Sequence, residues 1–350
     1  MAARQDPYVH RVVITVGTAA CAVLLVLAVW ASLNVLLLIF GGILLAVLLR
    51  GLGDALSRYT GVKETWALWI VLVALAAVLG LGGWYLSAEI GEQFDELGRS
   101  LTSTWDDLRR RLERYGWGQQ ILGILGDPQT TAEKAGALAK VAAGIVGGIS
   151  GLVLSVVIGL YVAADPTLYR RGFIRLVPMR LRTHMAEILD ELHDSLRAWL
   201  MGTFLLMIVV GVMTTVGLWA LGIPLPLALG IIAFFLEFIP YIGPILAAIP
   251  AILVASGVGS REVVFVLMLY WAIQSIEGYL LSPLIFQRSI RIPPMLTIGA
   301  QVVLGSLLGV VGVIFATPLT ACAMVLVQRL YIEDALGDDF ERKLPAKQVG

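Results

Sequence analysis

The 350-residue chain is 59% hydrophobic and only 14% charged, against roughly 45–50% and 25% in soluble domains. That much apolar surface cannot be hidden inside one globule of this size, which excludes a soluble enzyme and requires lipid. Its 25 basic and 25 acidic residues cancel, leaving no net field to draw nucleic acid or an acidic partner.

The charges are unevenly spread, and residues 12–49, 65–88, 141–164, 198–236 and 292–328 contain none. A helix rising about 1.5 Å per residue needs about 20 apolar residues to cross a hydrocarbon core of about 30 Å. Each run therefore holds at least one crossing. The first run is expected to split at Ser32-Leu33-Asn34 into two spans, and a third covers 66–86, so that 10–88 carries spans one to three. Leu86, Ile90, Phe94, Leu97, Leu101, Trp105, Leu108, Leu112 and Tyr115 then recur at spacings of three and four with charges between them. This is one apolar stripe on an amphipathic helix, placed in an extracytoplasmic region 89–140 and read first as an oligomer contact, with a coiled coil within the chain or a membrane-surface helix as the alternatives. Gly126-Asp127-Pro128 ends it.

A fourth span occupies 141–164, where Gly144, Gly147, Gly148 and Gly151 favour close helix packing. Asp165-Pro166 stops that span, and Arg170, Arg171, Arg175, Arg180 and Arg182 follow. Within this basic, amphipathic region (165–197), Met185, Ile188, Leu189, Leu192 and Leu196 lead into a fifth span that ends near Gly222. Ile223-Pro224-Leu225-Pro226 is a turn. The remaining core, 198–330, holds two interrupted segments, 227–256 and 296–328, with a shorter span at 263–281 between them; 331–350 is a tail. The fold class is thus an all-α polytopic membrane protein of about eight hydrophobic segments plus an extramembrane amphipathic region.

The two interrupted segments carry the chemistry. The first contains Glu237-Phe238-Ile239-Pro240-Tyr241-Ile242-Gly243-Pro244 and then Pro250; the second contains Gly305, Gly309, Gly312 and Thr317-Pro318. Proline and glycine at lipid depth release backbone groups from the helical ladder, and only protein or a water-filled cavity can satisfy them. A matched pair of such breaks points to a transport site, whereas two kinked, tightly packed helices are the plainer reading. Either each segment crosses fully, or each folds back as a re-entrant hairpin with arms of roughly 13 residues, about 20 Å. In the second case 198–256 and 262–328 form an inverted repeat.

Glu237 and Glu277 are the acidic residues within the apolar runs of the last third, and Gln274 shares a helix face with Glu277. A carboxyl at bilayer depth costs several kcal/mol unless paired, hydrated or protonated, so function is its default reading. Cys21 and Cys322 read as small hydrophobes, and His10, His184 and His193 are too scattered to hold a metal. No phosphate loop, nucleophile elbow or zinc motif is present, so neither a cofactor nor an enzyme is supported. The bias of Lys and Arg in short loops puts Arg4, Arg11, Arg50, Arg58, Lys63 and the 170–182 arginines in the cytoplasm, with both termini.

Pro240-Tyr241-Ile242-Gly243-Pro244 resembles a signature of the autoinducer-2 exporter-like family of bacterial and archaeal transporters. Gln274-x-x-Glu277 leading to Leu281-Ser282-Pro283-Leu284-Ile285, then Ile292-Pro293-Pro294, is similar to that family's next block, and 309–318 to its last. The resemblance covers roughly residues 10–335. It implies a prokaryotic inner-membrane transporter, assembled as a homo-oligomer with a pentamer among the options. It also implies export of autoinducer-2 in some members and sodium/proton exchange in others, so H+ or Na+ is the coupling ion to consider. The positions it marks are Pro240, Gly243, Pro244, Gln274, Glu277, Pro283, Gly312 and Pro318; Glu237 and Tyr241 complete the candidate pathway. A channel or a membrane scaffold is the competing class.

Overall fold

The computed structural model describes residues 7–77, 96, 151, 153–286 and 292–337. Within these it is helical, with no strand. The amphipathic stripe, the start of the fourth span, Arg288 and Arg291 lie outside the described residues.

α1 runs unbroken over Pro7–Thr60, 54 residues, about 80 Å. The expected turn at Ser32-Leu33-Asn34 is therefore absent. Serine and asparagine weaken a helix by a few tenths of a kcal/mol each. Without a glycine or proline beside them, they do not stop one that is leucine-rich on both sides. The merger also means that Pro7 and Thr60 lie at opposite ends of one rod, which removes the ground for placing Arg11 and Arg50 on one side by a tight turn.

α2 (Glu64–Ala77) follows a left-handed Gly61. α3 (Val153–Ala164) lies beside α1 and parallel to it. Ser155 Oγ donates to the Leu38 carbonyl at 2.5 Å, and a Cβ on Gly159 would stand 2.9 Å from the Gly42 carbonyl. Small residues thus let the two backbones meet. Arg50 Nε and Nη2 donate to the Ala163 and Ala164 carbonyls at 2.8 and 3.2 Å, satisfying orphan acceptors at the end of α3.

Asp165-Pro166 stops α3 as the sequence implies. The chain bends by 88° into α4 (Pro166–Arg175), with Asp165 as N-cap accepting from the Leu168 amide and Pro166 in the first turn. The Thr167 hydroxyl and that amide hold the Asp165 carboxyl below its ordinary range. α5 (Arg182–Ala220) is 39 residues long and ends at a left-handed Gly222.

The segment after Pro224 is a hairpin of two short helices, α6 (Pro226–Leu236) and α7 (Ile242–Val258). Leu225, Ala228 and Leu229 from its beginning share one buried cluster with Ala251, Val254 and Ala255 from its end, together with Leu218 of α5. Both ends of the hairpin therefore lie at the Gly222 end of α5. α8 (Ser260–Ile276) starts there and runs back, continuing through a wide π-helical turn, Glu277–Leu281, into Ser282–Ile285.

α9 (Pro294–Leu326) is also two arms, because Gly309 has φ 65° and ψ −147°. Residues 294–308 and 310–326 fold against each other: a Cβ on Gly312 would run into the Leu304 carbonyl, and one on Gly305 would stand 2.7 Å from Val313 Cγ2. In a straight helix residues eight apart are separated by about 12 Å.

The second arm is longer than the sequence suggests. It continues as a π-helical stretch, Val327–Ala335, towards the start of α5. There Arg329 meets Glu191 at 2.5 Å and Glu333 at 2.7 Å, and His184 Nε2 lies 2.8 Å from Asp334. The first hairpin thus opens towards the end of α5, and the second arm of the other hairpin runs towards its beginning. Among the described residues four helices are long and apolar enough to cross a membrane, or five if the bent pair α3–α4 counts as one. This is fewer than the eight segments expected, in part because α1 is one helix and one broken segment is made of short arms.

Candidate functional site

The tip of the first hairpin, 237–241, is non-helical because of its own residues. Pro240 has no amide hydrogen and Tyr241 takes φ 66°, a conformation costly for an aromatic residue and common where function demands it. Gly243 answers a steric need: a Cβ there would run into the Leu236 carbonyl across the turn. Pro244 sits in the first turn of α7, where a missing amide costs nothing.

The tip reaches the middle of α5. Phe238 packs edge-on to Trp199 at 5.6 Å between ring centroids. Gln301, from the first arm of α9, donates from Nε2 to the Pro240 carbonyl at 2.9 Å. That carbonyl also accepts from the Ile242 amide at 2.8 Å within the turn, and through it the first hairpin tip is held by the second hairpin.

Around this junction lies a cavity of about 430 Å³, within the range of small-molecule sites. Glu237, Pro240 and Tyr241 of the tip line it, as do Gln274, Glu277 and Gly278 of α8 and its π turn. Trp199, Thr203 and Leu206 of α5 close one wall; Ser282, Phe286, Ile292, Thr297 and Thr317 complete it. Residues 297 and 317 would be about 30 Å apart on an unbroken helix, and they meet here because Gly309 reverses the chain.

Glu237 is 6% exposed, and its carboxyl is close enough to that of Glu277 to hydrogen-bond with it. Gln274 Nε2 donates to Glu277 Oε2 at 2.6 Å. No lysine, arginine or histidine is among the described residues that line the cavity. The arrangement can accept hydrogen bonds from a neutral or cationic solute, hold a proton between two carboxyls, and stack a ring or apolar face on Trp199. Its described lining holds no side-chain cation to neutralise an anion.

Of the residues the sequence marks, Glu237, Pro240, Tyr241, Gln274 and Glu277 line the cavity. Gly243, Pro244, Pro283, Gly312 and Pro318 do not; they shape the backbone that surrounds it. Pro283 explains the π turn. Its ring nitrogen cannot donate to residue 279, and the Ser282 amide bonds instead to the Glu277 carbonyl, five residues back. Such bulges concentrate at functional sites. Trp199, Thr203, Thr297 and Gln301 are absent from the sequence reading, and Thr317 enters it only as part of the Thr317-Pro318 break and not as a site residue. Polar residues inside the otherwise apolar run 292–328 are the signal that could have found the last three.

A helical membrane protein with two reversed hairpins meeting at an intramembrane polar cavity belongs to the class of transporters built on broken helices. The family model for the AI-2E family transporter matches residues 20–332, and the chain belongs to that family. It is similar to YrrI of Bacillus subtilis, 32% identical over 202 residues, 57% of each chain. It is similar to YhhT of Escherichia coli at 24% over 324 residues, 88% of each. It is also similar to the AI-2 transport protein TqsA of Escherichia coli at 31% over 137 residues, 39% of this chain and 40% of that one. The match spans about half the length of the first two curated relatives, 57% and 48%.

Proposed function

We propose that the protein is a secondary exporter of a small, neutral, hydroxyl-rich metabolite of the autoinducer-2 type, with the Glu237–Glu277 pair carrying the coupling proton. One observation carries this reading: the buried Glu237 carboxyl and the half-buried Glu277 carboxyl face a cavity that has hydroxyl and amide groups and an indole, with no cation among the described residues that line it. Carboxylates accept from sugar-like hydroxyls, and their own negative charge disfavours anionic solutes. The name of one relative supports the substrate class. The sequence expectation of a homo-oligomer, a pentamer among the options, stands with this reading. So does a prokaryotic inner membrane, with the arginine-rich end of the bundle (50–63, 165–182 and 329–335) in the cytoplasm.

Counterflow in proteoliposomes tests it. Wild-type protein should exchange labelled autoinducer-2 saturably, and an imposed pH gradient should drive its accumulation. Glu277→Gln should retain exchange but lose the response to the gradient; accumulation intact in that variant rejects the carboxyl pair as the proton carrier. The same pair supports a second reading, sodium/proton antiport. A sodium gradient that moves protons, with no autoinducer-2 exchange, would favour it.

A further inference from the structure

We propose that Gln301 and Thr317 are specificity-determining residues for the transported solute, which bridges the two hairpins: its hydroxyls bond the carboxyl pair on one side and these two side chains on the other. The inference rests on the exporter reading and adds the second wall of the site.

Gln301 is 1% and Thr317 3% exposed, yet Gln301 Oε1 and Thr317 Oγ1 have no hydrogen-bond partner among the protein atoms. Buried polar groups are almost always paired, and at membrane depth lipid cannot take the partner's place. A threonine within a helix ordinarily donates to the carbonyl four residues back. Thr320, one turn along the same arm, does so with Ala316 at 2.7 Å, whereas Thr317 does not.

The position of the two groups says what they face. Thr317 lines the cavity. Gln301 lies one turn beyond Thr297, another lining residue, and its amide nitrogen is already committed to the Pro240 carbonyl. Its oxygen is therefore fixed as an acceptor beside the tip. Gln301 is not itself among the lining residues but is tied to the tip through the Pro240 carbonyl; Thr214 Oγ1, the third such atom among the described residues, neither lines the cavity nor bonds a residue that does, and takes no part.

An acceptor oxygen and a hydroxyl on one hairpin, opposite the Glu237 carboxyl at the tip of the other and the Glu277 carboxyl of the π turn after α8, match a solute carrying hydroxyls at both ends. Binding would then tie together two elements that open towards opposite ends of the bundle. That is the coupling a solute needs to bias their relative movement.

The experiment has two arms, both on the full-length protein in liposomes. In the first, Thr317→Cys in a Cys21→Ser, Cys322→Ser background is labelled with a small thiol reagent. The expected result is labelling that ribitol, as probe polyol, slows and that sodium chloride at equal osmolarity does not. No labelling, labelling indifferent to ribitol, or protection by sodium alone would overturn the proposal.

In the second arm, Thr317→Val and Gln301→Leu should each raise the KM for autoinducer-2 counterflow about tenfold with little change in kcat. Thr317→Ser, which keeps the hydroxyl, should stay within about twofold. An unchanged KM in Thr317→Val overturns the assignment. Should wild-type protein fail to exchange autoinducer-2 while ribitol still protects residue 317, the substrate reading falls and the bridge stands.

Discussion

Gly243 and Gly312 hold the same place in their hairpins, a few residues past the reversal and against a carbonyl across the turn. Neither has room for a methyl group, because backbone rather than a flexible side chain blocks it. Gly243→Ala and Gly312→Ala should each cost roughly 1–3 kcal/mol and lower the melting temperature in detergent. Gly299, with nothing within 4 Å, is the control: Gly299→Ala should leave melting unchanged or raise it. Equal effects at all three positions would show that the hairpins do not close as described. Side-chain chemistry was less legible than these glycines. Glu237 and Glu277 stand out in sequence as charges amid apolar residues, but Thr317 does not, since a threonine in a helix usually satisfies itself.

At the scale of elements, the π turn at Glu277–Leu281 aims α8 into the cavity. Pro283→Ala restores the missing donor and should let the turn tighten to α-helix, rotating Glu277 away from Glu237. Transport should fall severalfold while the melting temperature holds or rises; unchanged transport would remove the π turn from the account. The network of Arg329, Glu191 and Glu333 fastens the long arm of α9 to α5. Arg329→Ala should cost about 1 kcal/mol, seen as a lower melting temperature that depends on salt.

Sequence pattern located nearly every described element end that proline or glycine enforces: Asp165-Pro166, Gly222, the 237–244 break and the Gly309 reversal. It misplaced the turn in α1, because serine and asparagine are weak stops and apolar length alone cannot separate one long helix from two spans. It also undersized the second arm of α9, whose charged end, Arg329 to Asp334, reads as tail until ion pairs to α5 explain why it stays helical.

For the whole molecule, a transport site between opposed hairpins requires that the first hairpin enter and leave at one end of the bundle, opposite the arginine-rich end. Trp219 near the end of α5 and Ser260 at the start of α8 should then share a side, with Asp334 on the other. Sidedness of labelling by a membrane-impermeant thiol reagent measures this directly, using Trp219→Cys, Ser260→Cys and Asp334→Cys, each in a background free of Cys21 and Cys322. The predicted result is that residues 219 and 260 react from one face and 334 from the opposite face. Residues 219 and 260 reacting from opposite faces would mean that 226–258 crosses the bilayer, which contradicts the hairpin and the transport site built on it.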